Sequence, residues 1–204
     1  MAQDVHCPTC GAPLHIRNRF VTTVTCEFCG SVSLVDGARL DPTGRSVTAV
    51  QVPSPLYLDA TGRIGSRSFR VLGRLVYEYD GGFWTEWFLE VDGNRRVWMV
   101  EDEGAFSLLQ IQPRVVPPPF DDITVGQTIQ LGDLSVFVNE VDEATIVGAE
   151  GQLGAGLLPG EAIRYVDGTA GDNEISIEYG EKEVEVFVGR PIPRESVQID
   201  DETY

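Results

Sequence analysis

Apolar residues in this chain recur at every second position, in short runs bounded by glycine, proline, asparagine and aspartate. Alternation at period two is the pattern of a strand, and no segment keeps helical periodicity beyond about two turns. Ser68–Tyr79, Phe83–Val91, Arg95–Glu101 and Ala105–Ile111 read as a four-stranded antiparallel meander. Its turns are Asp80-Gly81-Gly82, Asp92-Gly93-Asn94 and Glu103-Gly104. Pro113 and Pro117-Pro118-Pro119 close this block with stiff, extended backbone. Beyond them Thr128–Leu131, Leu134–Asp142, Thr145–Ala149, Ala162–Val166, Glu174–Tyr179 and Val184–Val188 read as strands, and Gly151–Gly160 as a flexible loop.

The pattern divides the chain into an N-terminal ribbon (1–36), a polar linker (37–52), a first β module (53–116) and a second (117–204). The expected fold is mainly β: a four-cysteine zinc ribbon followed by two small antiparallel modules, each a barrel or half-barrel. The segment opening at Gly62 and entering the long strand at Phe69 resembles the segment from Gly126 to Val136. A duplication explains that likeness, and chance similarity between β-rich segments competes with it.

The cysteines change the picture most. Cys7 and Cys10 form one pair, Cys26 and Cys29 another, with fifteen residues between the pairs. That spacing fits four thiolates on one zinc ion. Gly11 and Gly30 directly follow the second cysteine of each pair, where positive φ turns backbone N–H groups toward the sulfurs. A unit of about 35 residues is too small to stabilise itself by burial, so metal binding supplies its folding free energy. Two disulfides, or iron in a rubredoxin-like site, are the competing readings. His6 and His15 read as bystanders. Four thiolates leave no open position for a reaction, so the metal is expected to be structural.

The net charge is −17. Arg17, Arg19, Arg39 and Arg45 cancel Asp4, Glu27, Asp36 and Asp41, so the deficit lies entirely after residue 50. An acidic body disfavours nucleic acid and anionic lipid, whose binding depends on Lys and Arg neutralising phosphate. Arg17 and Arg19 leave only a local contact through the ribbon open. Arg63, Arg67, Arg70 and Arg74 form one basic run, read as offsetting neighbouring carboxylates. No apolar stretch approaches the roughly 20 residues of a spanning helix, and no secretory signal is present. Reduced thiolates then imply the cytoplasm, with membrane attachment only through a partner.

Gly73–Leu89, with Trp98 and Glu101-Asp102-Glu103-Gly104 after it, resembles an uncharacterised bacterial family whose members carry a domain of unknown function, often behind a zinc ribbon. Trp84-Thr85-Glu86-Trp87 is the most specific part of the likeness. Ala149–Leu153, Pro159-Gly160-Glu161 and Tyr165-Val166-Asp167 are similar to the family's second half. Where the family often has a proline after its Glu-Gly-x-Leu segment, this chain has Gly154. The resemblance implies no established activity. Family members tend to be encoded near membrane-stress proteins and polyamine-synthase-like enzymes, which implies an accessory role in an envelope response.

Strand alternation puts Phe83, Thr85, Trp87, Leu89 and Val91 on one face, the natural core. The opposite face carries Trp84, Glu86, Phe88 and Glu90, aromatics interleaved with carboxylates, with Trp98 nearby. Either both faces are covered, or this one is a groove for a partner or a cation. The chain has neither a Gly-x-Ser-x-Gly elbow nor a phosphate-binding Gly-rich loop ending in Lys-Ser/Thr, and both histidines belong to the ribbon. The leading expectation is therefore a non-catalytic adaptor acting on a protein partner. The alternative is a carboxylate-based enzyme, or a sensor of polyamines or other small cations.

Overall fold

A computed structural model of the chain describes residues 3–17, 19–47, 50–154, 156–181 and 183–200. Strands β1 (Gln3–His6) and β2 (Pro13–Ile16) form a hairpin, and β3 (Thr23–Thr25), β4 (Ser31–Asp36) and β5 (Arg39–Ser46) form a meander beside it. Val5, Leu14, Ile16, Val21 and Val24 pack with Cys7 and Cys26 into a small core of their own.

The stretch 37–52, read as linker, contains β5. Its residues are polar because it is an edge strand: it pairs with β4 on one side and needs no apolar face. Pro42 is tolerated for the same reason. Residues 48 and 49 of that stretch, and 201–204 at the end of the second module, lie outside the described residues.

The remaining strands are β6 (Thr61–Ile64), β7 (Arg67–Tyr79), β8 (Gly82–Val91), β9 (Arg95–Asp102), β10 (Ala105–Ile111), β11 (Thr128–Leu131), β12 (Leu134–Leu153), β13 (Ala162–Ala170), β14 (Asn173–Tyr179), β15 (Val184–Ile192) and β16 (Val197–Ile199). Strands β7 to β10 form one antiparallel meander and β12 to β15 another. Strand β10 pairs with β15 and β7 with β12, which closes an eight-stranded barrel. The two sequence blocks are the two halves of this one barrel.

The halves repeat one plan. Each begins with a short strand, a two-residue turn and a long strand: β6–β7 in the first, β11–β12 in the second. Gly65 and Gly132 lead the two turns, each with φ of 59°. Glycine takes that conformation without a Cβ clash, and it suits the tight hairpin. Two expected strands, Leu134–Asp142 and Thr145–Ala149, are one 20-residue strand, β12, which continues to Leu153. Register shifts at Val138/Glu140 and Ile146/Gly148 bend it. It can therefore serve β11 and β13, then β7, then β3 of the ribbon.

Three apolar clusters follow from the closure. The central one fills the barrel and draws Leu75, Phe88, Trp98, Leu109, Ile146, Ile163 and Phe187 from seven of the eight strands. A second lies outside the first half, where Val71, Trp87, Leu89 and Met99 pack under Leu56, Ala60, Val197 and Ile199. A third lies outside the second half, where Val138, Val166, Ile175 and Val186 pack under Ile123, Ile129 and Leu131. Both faces of these sheets are covered, so β8 is buried almost without alternation. The exception is β14, whose apolar Ile175 and Ile177 face the outer cluster, while Glu174, Ser176 and Glu178 face the barrel interior.

Candidate functional site

Two constellations carry chemistry. In the ribbon, Cys7 Sγ lies 3.8 Å from Cys29 Sγ, Cys10 Sγ lies 3.8 Å from Cys26 Sγ, and all four sulfurs fall within 4.8 Å of one another. Four sulfurs at the corners of a tetrahedron with metal–sulfur bonds of ~2.3 Å lie ~3.8 Å apart. The turns that set this spacing are closed by the Gly11 N–H donating to the Cys7 carbonyl and the Gly30 N–H to the Cys26 carbonyl, each at 2.8 Å. Ser31 Oγ stands 3.3 Å from Cys7 Sγ and 3.1 Å from Cys29 Sγ, a hydroxyl placed to donate to thiolates. The four residues are free cysteines and can hold a metal ion. His15 instead pairs with Asp4 at 2.7 Å on the surface.

The second constellation is a cavity of about 570 Å³ at one end of the barrel. The sequence puts Trp84, Glu86, Phe88 and Glu90 on an outward face; closure of the barrel turns that face inward. Trp84 and Glu86 line the cavity, whereas Phe88 and Trp98 pack against each other (ring centroids 4.9 Å apart) in the central core. Glu90 is half-buried further along β8, in register with Arg70 and Arg96. The five residues named from sequence therefore do not form one site.

Trp84 is the centre of an aromatic group. Its ring stacks on Tyr77 at 4.6 Å with planes 7° apart, and meets Tyr165 edge-on at 5.2 Å and Tyr79 at 5.5 Å. Its indole N–H donates to Glu86 Oε1 at 3.2 Å, and the Tyr77 hydroxyl makes a long 3.5 Å contact to Glu86 Oε2. The Tyr165 hydroxyl donates to Glu140 Oε1 at 2.6 Å. Register explains the grouping: Trp84 faces Tyr77 across β7–β8, and β13 presents Tyr165 and Asp167 on its inward face.

Carboxylates fill the rest of the lining. Glu86, Asp102, Glu103, Glu140, Asp167, Glu174 and Glu178 border the cavity, and among the described residues no Lys, Arg or His does. Burial dominates the protonation of Glu86, Glu178, Asp167 and Asp102. It pushes Glu86 up to about 7 and Glu178 well above the ordinary carboxyl range, with the Glu86 and Glu185 charges adding to it. It also raises Asp167 to about 6, and raises Asp102. The Asp167 Oδ1 atom has no exposure and no hydrogen-bond partner. Among the described residues only the cysteines gather three or more metal-ligating atoms within 4.8 Å. The cavity carboxylates are thus too dispersed to wrap a small ion.

Tyr77, Tyr165 and Asp167 enter the sequence reading only through the family resemblance, and none of them, nor Glu140 or Glu178, is named there as a site residue. The available signal was the alternation Glu174-Ile-Ser-Ile-Glu178, whose polar side reads as solvent-facing in an open sheet. Gly154 has a local reason as well: a Cβ there would stand 2.5 Å from the Phe88 ring.

No helix among the described residues is long and apolar enough to cross a membrane. The family model that matches residues 58–194 is that of a domain of unknown function, DUF4178, and its span covers the barrel from β6 to β15. No curated protein and no solved structure matches the chain.

Proposed function

The chain belongs to the DUF4178 family, and we propose that its barrel is a non-catalytic receptor for a small organic cation bearing ammonium groups, of the polyamine class. One observation carries the reading: seven carboxylates around a 570 Å³ cavity, with an aromatic wall and, among the described residues, no basic side chain. An unpartnered buried carboxylate oxygen is costly, and while Ser176 hydrogen-bonds the Asp167 carboxyl, its Oδ1 atom has no partner among the described residues. An ammonium N–H satisfies it. The Trp84 face offers cation–π attraction, worth about 2 kcal/mol when desolvated. Dispersed carboxylates suit an elongated cation better than a compact metal ion.

Of the residues named for a partner or ligand, Trp84 and Glu86 line the cavity and Phe88 does not. With Phe88 in the core, a protein partner enters only as the recipient of a ligand-induced change at the barrel mouth. A carboxylate-based enzyme is the second reading, favoured by the raised Glu86 and Glu178 carboxyls. Against it, among the described residues no histidine or cysteine borders the cavity to activate a nucleophile or act as one. We assign zinc to the four thiolates as a structural ion, and the reduced cysteines favour the cytoplasm.

Calorimetric titration with putrescine and spermidine at pH 8, followed by mass analysis of the recovered amine, tests the reading. Saturable heat with Trp84 emission quenched, unchanged amine, and at least tenfold weaker binding in Asp167→Asn are expected. Absence of both saturable heat and an emission change overturns the receptor. A chemically altered amine establishes the enzyme instead.

A further inference from the structure

Glu86 on β8 and Glu178 on β14 are 6% and 5% exposed, on inward faces of the same barrel. Among the described residues no cationic side chain borders their cavity. Two carboxylates in a site of low dielectric without a counter-ion cannot both ionise, because neither desolvation nor mutual repulsion is offset. The groups around them are fixed. Trp84 and Tyr77 face Glu86 as N–H and O–H groups. From β13 comes Asp167, under the influence of Glu140, Glu174 and Asp102. Glu185 on β15 is in register with Glu178 and lies near Glu183 and Arg96, and the Arg96 charge acts on Glu185. Among the described residues the further charges acting on the pair, those of Asp167 and Glu185, are negative.

We propose that the Glu86–Glu178 pair holds a proton in place of a counter-ion, and that an incoming ammonium group replaces it. The balance is simple. The protonated amine keeps its own proton and donates N–H bonds to the pair. The carboxyl O–H breaks, its electron pair stays on the oxygen, and H⁺ leaves to the solvent. Trp84 and Tyr77 both donate to Glu86, which makes Glu86 the ionised member and Glu178 the protonated one. The raised affinity of both groups for protons agrees with this arrangement. Binding is then an exchange of cation for proton, and it tightens as pH rises through the pair's titration.

This rests on the reading of the barrel as a cation receptor, and the experiment separates the two. Putrescine is titrated into the full chain at pH 7 in two buffers of different ionisation enthalpy. A buffer-dependent heat equivalent to about one proton released per ligand is expected, with affinity rising about tenfold per pH unit below the titration. In Glu178→Gln, folded by near-ultraviolet dichroism, binding should weaken and the proton released per amine bound should fall toward zero. Identical heats in both buffers, with binding intact, overturn the exchange and leave the receptor standing. If no amine binds, carbon-13 NMR of the labelled side-chain carboxyls decides on the free protein. One carboxyl of the pair still protonated at pH 7 supports the proton store; two ionised carboxyls end it.

Discussion

At Glu86 and Glu178 the cost of the cavity becomes measurable as stability. Their folded-state proton affinities lie above the ordinary carboxyl value, Glu86 at about 7 against 4.5. Between those values the folded chain binds more protons than the unfolded chain, so stability falls as pH rises. For Glu86 the difference is on the order of 3 kcal/mol. The ligand-free protein should therefore melt several degrees lower at pH 8.5 than at pH 5.5, in a scan by circular dichroism. Glu178→Gln should melt higher than wild type at pH 8.5 and flatten the dependence; a variant less stable at both pH values would contradict this. Phe88→Ala tests the neighbouring position differently. It empties a fully packed core site and should cost about 3–5 kcal/mol at any pH. The sequence named Trp84 and Glu86 because aromatics between acids are unusual on a strand. It could not separate them from Phe88, since face assignment by alternation does not say which face a closed barrel turns inward. Asp167 and Glu178 were illegible for the same reason: an acid on an alternating strand reads as solvated until the sheet curls around it.

Among elements, the first meander and its neighbour pairings are legible in sequence, and the long-range pairings are not. Turn residues and β-branched runs mark β7 to β10 nearly to the residue, because their loops are short and local. The pairings β10–β15 and β7–β12 join distant segments, and nothing in a single strand's pattern specifies its far partner. Strand β12 was misread as two because its bulges interrupt alternation without ending the ladder. The hairpin turns give a test of the repeat. A Cβ at Gly65 or Gly132 meets nothing within 4 Å, so alanine at either position brings only the strain of φ near 59°. Gly65→Ala and Gly132→Ala should each cost about 1–2 kcal/mol in urea unfolding, with equal effect. A large difference between them would show that the two turns do not do the same job in the two halves.

Taken whole, the molecule places its ribbon as a floor under the barrel. Strand β3 pairs with the end of β12 at Val24↔Gln152 and Thr23↔Leu153. The Thr22 N–H donates to the Leu153 carbonyl at 2.8 Å, and Thr25 Oγ1 to the Ala149 carbonyl at 2.9 Å. Gln152 bridges back, accepting from the Arg17 N–H and donating to the His15 carbonyl, both at 2.8 Å. Phe20 and Val47 pack against the same central cluster that holds Phe88 and supports Trp84. The ribbon core is small, and the structural ion proposed for the four thiolates would supply its folding free energy. Removing the ion should therefore withdraw Phe20, Val47 and the β3 pairing from the barrel together. Hydrogen exchange read by mass spectrometry, before and after chelation, checks this. Protection should be lost over residues 149–153 of β12 as well as over the ribbon, while β13 and β14 stay protected and the barrel's melting temperature drops by several degrees. The sparing of β13 and β14 follows from topology, since neither strand touches the ribbon sheet and both are held by β12, β15 and the outer cluster around Ile175. If chelation exposes the ribbon alone and leaves 149–153 protected, the barrel closes without its floor, and the ribbon's contacts to β12 are incidental to its stability.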